Sequence, residues 1–528
     1  MIQIKMKKLF GHTVVQCLLV FGVVFVAFAP LHIQQSFQDP DSFYHARIST
    51  LMNSGPVTQF PWLPFTTLSD TFADHHLLYH IILIPFVSFL DPLVGISLAT
   101  LLFASLFCML FFLFLKKLLS NVCSPHIFSW AAVWLFLLLS HSLFAFRLNL
   151  AKVPVFSLIL LIIFLWALYA MRRPLIFLFS FLYVWAYAAW PIVLILTACT
   201  SLAQSITTAK KVFYPPAWHV VWISGIGVLL GLSIHPSFPS NLGFYWIQIG
   251  LIGFLEPTTA ATAVNEWSSF GFTIIPRLAI SLILFILASV ALFIPSTDSW
   301  FLKNSSPLPR WYQYFLWFSC SVFLLLSFKA IRHTEYFIPL SFLFSGSILI
   351  PLVAKHSPAK WLFILLQNIR SSQQKNATLT ILLVLFIPCV IGANLITLYT
   401  PGKGISFTKF KNANEWLIKN TQKNSIIFHD RWDDFPMLFY YNQHNRYISG
   451  LHPSFLGIKD TNMLWDYHLI MEGLVPPTIH TKFFGSFQTE VIFVNTSNKK
   501  LISSLTNSPG FQKVYEDNDA HIYKKRVQ

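Results

Sequence analysis

Long apolar stretches recur from about residue 12 to about residue 397, and they restrict this chain more than any other feature. Hydrocarbon offers no partner for a backbone N–H or C=O, so a stretch of roughly 20 apolar residues can cross a bilayer only as a helix or as part of a closed barrel. The stretches lie near 12–30, 93–115, 127–146, 151–171, 174–187, 190–206, 217–234, 273–295, 313–330, 335–354 and 378–397. They predict a mainly α, polytopic membrane protein with about eleven spans. The pair within 174–206 is short and is expected to tilt or break at Trp190-Pro191. The chain is 55% hydrophobic and 11% charged, whereas soluble domains carry about a quarter charged residues.

The net charge of +16 raises the question of a nucleic acid partner. The basic residues sit instead in short loops between apolar stretches, at Lys116-Lys117, Arg172-Arg173, Lys210-Lys211 and Lys355 to Lys375. That is the positive-inside pattern of a cell (inner) membrane protein, with no nucleic acid implied. Lys5, Lys7 and Lys8 precede the first stretch, and Pro30 follows the cleavage-like Ala27-Phe28-Ala29. Proline at that position blocks processing, so an uncleaved anchor with a cytoplasmic amino terminus is expected. An odd number of spans then leaves the carboxy-terminal segment outside. The six cysteines lie in or beside apolar stretches without paired spacing, so neither a disulfide framework nor a cysteine metal site is indicated.

After residue 400 the composition turns polar. Asn412 to Lys419 is read as an amphipathic helix, with strands at Ser425 to His429 and Val491 to Val494 and a strand-like His521-Ile522-Tyr523 at the end. The division expected is a transmembrane part over 1–400 and an extracytoplasmic α/β domain over 401–528, large enough at about 125 residues for its own core.

Unusual polar residues collect on the side expected to face outward. Asp39-Pro40-Asp41-Ser42-Phe43-Tyr44-His45-Ala46-Arg47 follows the first span directly, in a first outer loop over 31–80 that also holds Asp74-His75-His76. Arg147, Lys152, His235, Glu256, Glu266, Arg332, His333 and Glu335 fall on the same side. Charge at this depth is costly and tends to be kept for chemistry. Asp41 with Asp74, His75 and His76 is a candidate set for Mg²⁺ or Mn²⁺, since hard cations take carboxylate oxygen and Mn²⁺ accepts imidazole. Arg147 and Arg332 are candidates for gripping phosphate. Each residue also has a plainer reading: Asp41 and Asp74 as helix caps, Arg332, His333 and Glu335 as an interfacial ion pair. His80 shares a helix face with His76 and is a candidate supporting residue. Tyr440 to Asn445 suits a sugar-contacting surface or an ordinary turn.

The order of an apolar span, Asp41-Ser-Phe-Tyr-His-Ala-Arg47, a long outer loop, many spans and an outer α/β domain resembles the GT-C membrane glycosyltransferases, in particular the catalytic subunit of oligosaccharyltransferase. The resemblance in layout covers almost the whole chain. It implies that Asp41 binds a divalent ion and orients the acceptor. Trp416-Leu417-Ile418-Lys419-Asn420-Thr421 and Arg431-Trp432-Asp433-Asp434-Phe435 resemble the family's acceptor-contacting stretch. Val264-Asn265-Glu266-Trp267 resembles its late outer-loop glutamate motif. The chain departs from the pattern in three places. The loop at Phe146 to Lys152 lacks the family's second acidic pair, a role that Asp74-His75-His76 could take over. Arg431 replaces a Trp, and Asp434 replaces a Tyr.

The implied activity is inverting transfer of a sugar or oligosaccharide from a polyprenyl phosphate or pyrophosphate to an extracytoplasmic protein, lipid or glycan. Asp41 and Glu266 would be catalytic. Asp39, His45, Arg147, Arg332, His333, Glu335, Trp432, Asp433 and Asp434 would bind substrate. A secondary transporter or flippase with an Asp/His proton relay is the alternative, though carboxylates are scarce in the middle of the spans. A non-catalytic scaffold is a third reading.

Overall fold

A computed structural model describes residues 2–122, 124, 126–207, 218–255, 275–293, 308–354, 357–360 and 404–526, with the side chains of 2–12 and 254–255 left aside. The expected 378–397 span, the expected boundary at 400, Glu256, Glu266 and Lys210-Lys211 lie outside those residues. The apolar stretches that are described are helical. Five helices are long and apolar enough to cross a membrane alone: Thr13–Ile33, Pro92–Leu118, Ile275–Phe293, Arg310–Lys329 and Ile331–Val353. Ile127–Leu139 and Ser142–Leu148 make a sixth if counted together, bent by 86°. This is the helical framework of a membrane protein.

The other apolar helices are shorter over the described residues: Leu77–Phe89, Val153–Tyr169, Arg173–Ala186, Pro191–Thr207 and Trp218–Ser233. Length alone therefore supports five or six crossings among the described residues, against the roughly eleven expected from hydropathy. The helix expected from His75 appears as Leu77–Phe89, and its apolar stretch was not among the expected spans because Asp74 to His80 interrupts the pattern that leads into it.

Small residues set the closest helix approach. Trp218–Ser233 lies against Arg173–Ala186, and Gly227 and Gly231 face it four residues apart, an arrangement that lets membrane helices touch backbone to backbone. A Cβ at Gly227 would stand 2.6 Å from the Phe177 carbonyl oxygen. Ser180 and Ser224 hydroxyls share a 2.8 Å hydrogen bond in the same seam. Gly227→Ala is expected to force the helices apart and cost about 1–3 kcal/mol. Gly225→Ala, whose Cβ would meet nothing within 4 Å, should leave thermal unfolding in detergent unchanged.

Residues 404–526 build a five-stranded sheet. Its strands are β3 (Ile426–His429), β4 (Arg446–Tyr447), β5 (Val491–Asn495), β6 (Phe511–Glu516) and β7 (Ala520–Lys525), ordered β4-β3-β5-β7-β6. β3 runs parallel to β4 and β5, and β7 pairs antiparallel with β5 and β6. Every residue of β5 is buried, as a strand covered on both faces requires. The expected helix appears as Lys411–Asn420.

Two features tie this sheet region to the membrane helices. β1 (Ser36–Phe37), just past the first helix, pairs antiparallel with β2 (Ile405–Ser406). The Asp41–Leu51 helix packs on the Phe435–Tyr441 helix. There Arg47 Nε donates to the Tyr440 carbonyl at 2.7 Å, with the guanidinium over the Tyr440 ring. Trp62 Nε1 donates to the Gln443 carbonyl, and the Tyr447 amide donates to the Trp62 carbonyl. Tyr440 to Asn445 is thus packing, with Asn442 and Asn445 fully buried, rather than a sugar-contacting surface.

Candidate active site

A cavity of about 900 Å³ lies where the membrane helices meet the sheet region. Asp39, Asp41, His45, His75, His76, Arg147, Arg332, His333, Glu335, Trp432 and Asp433 all line it, although they are spread over nearly 400 positions of sequence. Asp74 and Asp434 do not line it, and Glu266 is outside the described residues. Sequence reasoning left Lys152, Tyr187, His452 and Lys499 out of the site, yet they line it too.

Asp39 and Asp41 are held together at the mouth of the Asp41–Leu51 helix. Asp39 Oδ1 accepts the Asp41 backbone N–H at 2.9 Å, a local bond that fixes the turn through Pro40. Lys152, which leads into the Val153–Tyr169 helix, reaches across with Nζ 2.9 Å from Asp39 Oδ2 and 2.8 Å from Asp41 Oδ2. The lysine side chain is 12% exposed, so this is a half-enclosed pair of bridges and not a solvated one.

Behind this pair runs a buried chain of three side chains. His80 Nδ1 donates to Asp74 Oδ2 at 2.7 Å, and His80 Nε2 lies 2.8 Å from His45 Nδ1. An ionised carboxylate only accepts, so His80 carries its proton on Nδ1. In the tautomer in which His45 Nδ1 donates to His80 Nε2, His45 Nε2 is left as an acceptor on a ring that lines the cavity. Burial, reinforced by His80 and Lys152, holds the His45 pKa well below 6.5. Burial pushes the Asp74 carboxyl up, but His80 and the neighbouring histidines outweigh it, and the group sits below its ordinary value. Burial takes His75 down to about 4. A carboxylate, a bridging imidazole and an accepting imidazole can take up a proton at the cavity and stabilise the charge that forms.

A second buried chain lines another wall. Arg147 donates through Nε and Nη2 to Glu335 Oε2 at 3.0 and 2.8 Å. Tyr187 Oη donates to Glu335 Oε1 at 3.3 Å and accepts from Arg332 Nη2 at 2.7 Å. Arg147, expected to grip phosphate, lines the cavity but spends Nε and Nη2 on Glu335, and an unpaired charge at this depth would be costly. Arg332, stacked 5.9 Å over the Tyr187 ring, carries its charge on the outer end of that chain.

On the sheet side, Arg431 forks onto Asp433 at 3.1 and 2.7 Å, and Trp432 faces His452 across 6.3 Å. Asp434 turns inward, where Oδ2 accepts from Asn495 Nδ2 at 2.8 Å. Asp430 accepts the Asn495 backbone N–H, and burial raises its carboxyl to about 6. The expected substrate contact of Asp434 is thus replaced by an internal one. Trp416 to Thr421 lies on the end of the Lys411–Asn420 helix, with Trp416 against Tyr515, and does not line the cavity.

The cavity is also lined by apolar side chains, among them Ile192, Ile195, Ile249, Phe323 and Leu326. Charged and apolar side chains in one cavity suit an amphiphile that carries an anionic group.

The divalent cation that the family resemblance implies can be tested against these residues. Among the described residues no group of three or more His, Cys, Asp or Glu is arranged to hold a metal ion. Asp74 is committed to His80, and the space between Asp39 and Asp41 holds the Lys152 ammonium. Two unit charges 4 Å apart repel by about 4 kcal/mol at an effective dielectric near 20, and a divalent ion would double that. The expected set of Asp41, Asp74, His75 and His76 does not converge, and the donors present do not fit the ion.

By sequence the chain matches no family model and no curated protein. By structure it is similar to the archaeal oligosaccharyltransferase AglB from Archaeoglobus fulgidus in complex with an inhibitory peptide and a dolichol-phosphate. That likeness has a TM-score of 0.59 and 12% identity over 91% of this chain and 69% of the other. An Archaeoglobus fulgidus oligosaccharyltransferase tethered with an acceptor peptide containing the NVT sequon gives 0.52 at 12% identity, over 97% of this chain and 74% of the other. The mycobacterial arabinofuranosyltransferase AftD gives 0.57 at 12% identity, over 96% of this chain but 40% of the other. The fold is GT-C-like. Within this GT-C-like fold, the cavity described above is lined by polar side chains from both the helical part and the sheet region.

Proposed function

We propose that this chain is an inverting GT-C glycosyltransferase that moves a sugar or oligosaccharide from a polyprenyl phosphate or pyrophosphate to an extracytoplasmic acceptor. The observation that carries this reading is a cavity that brings apolar side chains suited to a prenyl chain together with Arg332, Tyr187, Lys152, Asp41 and His45. The similarity to a structure holding a dolichol-phosphate and to one holding an acceptor peptide supports it. The basic loops support a multi-pass orientation with the amino terminus in the cytoplasm and residues 404–526 outside.

In this reading Arg332 holds the donor phosphate. Asp41 orients the acceptor, whose nucleophilic atom forms a bond to the sugar C1 as the C1–O(phosphate) bond breaks. The acceptor proton passes to His45 Nε2, and the lipid phosphate leaves with the bonding electron pair. Trp432 and Asp433 form the acceptor rim, and Glu266 is proposed as the second catalytic carboxylate. Because Arg431 and Asp434 depart from the sequon-contacting pattern, the acceptor is a protein, lipid or glycan without commitment to an Asn-x-Ser/Thr sequence. The proton-relay transporter would need a path to both membrane faces, whereas the Asp74–His80–His45 chain is short and ends at the cavity.

Asp41→Ala is expected to lower transfer by at least ~10²-fold with the protein still present in the membrane. Mass spectrometry of lipid-linked saccharides and envelope glycans checks this. Accumulated donor with missing product glycan supports the reading, and which pool loses the sugar identifies the acceptor class. Unchanged pools would refute the proposal.

A further inference from the structure

We propose that Lys152 is the resident cation of this site, occupying the position between Asp39 and Asp41 that a divalent ion would otherwise take, so that transfer proceeds without a metal. This rests on the glycosyltransferase reading above for its activity arm, and on geometry alone for its binding arm.

The carboxylates Asp39 and Asp41 lie at the start of one helix and Lys152 at the start of another, and Nζ reaches both at 2.8 to 2.9 Å. The remaining polar groups nearby cannot take the lysine's place. His45 and His80 are engaged with each other, and Asp74 is turned away into His80. An ammonium does for the carboxylates what a small hard cation does: it cancels their mutual repulsion and fixes their oxygens. It also places a permanent positive charge on the cavity wall, where a leaving phosphate gains from it. Unlike a bound ion, a side chain cannot be removed by a chelator. Lys152 is then a positioning residue for Asp39 and Asp41, and removing its charge should turn the pair into a vacant cation site.

The test uses the purified full chain in detergent with Mn²⁺ alone as the probe, read by the loss of the free-ion paramagnetic resonance signal. Wild type should bind no Mn²⁺ that depends on Asp41. Lys152→Met should bind Mn²⁺ at least tenfold more tightly than wild type, and adding Asp41→Asn should abolish the gain. In membranes, wild-type transfer should change less than twofold on chelator treatment. Lys152→Met should lose at least tenfold and recover part of that with Mn²⁺, and Lys152→Arg should stay chelator-insensitive. Mn²⁺ binding by wild type that Asp41→Asn removes would overturn the proposal. So would a chelator-dependent loss in wild type restored by Mn²⁺, or a folded Lys152→Met that gains no site. If Lys152→Met does not fold, the wild-type and Lys152→Arg measurements still decide it. If no transfer is detected under any condition, the glycosyltransferase reading fails while the Mn²⁺ measurements stand on their own.

Discussion

His45→Ala is expected to lower transfer by about 10²–10⁴-fold, the usual contribution of a positioned proton acceptor. Asp74→Asn should cost less, because the His80 hydrogen bond can persist while the charge behind it is lost. The informative result is the double variant. If Asp74 acts only through His80 and His45, then His45→Ala with Asp74→Asn should be no slower than His45→Ala alone. Additive losses would mean that Asp74 serves the site by another route.

The pH dependence follows from burial. His45 is held well below 6.5, so its proton-accepting form persists as the pH falls through 6.5. The acid limb of kcat/KM should therefore lie below that value. The same sign applies to stability: below pH 6.5 the unfolded chain binds protons that the folded His45, His75 and His76 refuse. Stability should be complete above 6.5 and decline as the pH drops. A kcat/KM limb above 6.5 would contradict the assignment of His45.

The positions of the apolar helices were legible because a bilayer leaves the backbone no alternative to internal hydrogen bonds. Which of their faces meet protein was not, because hydropathy cannot tell a protein-facing apolar surface from a lipid-facing one. Val153–Tyr169, almost wholly buried in protein, reads the same as a lipid-facing segment. The side of the chain that carries the site was legible from Asp41, His45, Arg332 and Trp432, which do meet at one cavity. Their partners were not. Lys152 lies 111 residues from Asp41, and Glu335 lies 188 residues from Arg147, so only the folded chain brings them together. Proximity in sequence was misleading at Asp74-His75-His76. The three read as one ligand cluster, but the Asp74 carboxylate accepts from the His76 backbone N–H and from His80 while His75 stacks on Phe244. The two-residue strands β1 and β2 are too short for any periodicity to reveal, although they join the first helix to the sheet region.

Glu335→Ala is expected to destabilise the chain by about 3–5 kcal/mol, since it strands the buried Arg147 guanidinium without its carboxylate. Arg147→Met should cost a comparable amount for the converse reason. Replacing both, as Arg147→Met with Glu335→Leu, should recover most of the loss, because two apolar side chains leave no uncompensated charge. Thermal unfolding of the four proteins in detergent gives the coupling energy, and a coupling near zero would mean that the pair is not desolvated. Activity separates this structural role from phosphate binding. The double variant should stay stable yet transfer poorly, because Tyr187 loses the Glu335 oxygen that orients it and Arg332 loses the support of Tyr187. Arg332→Ala should show the opposite pattern, a small change in stability with a large loss of transfer. If the stable double variant transfers at the wild-type rate, then Arg332 does not depend on the buried chain for its place at the cavity.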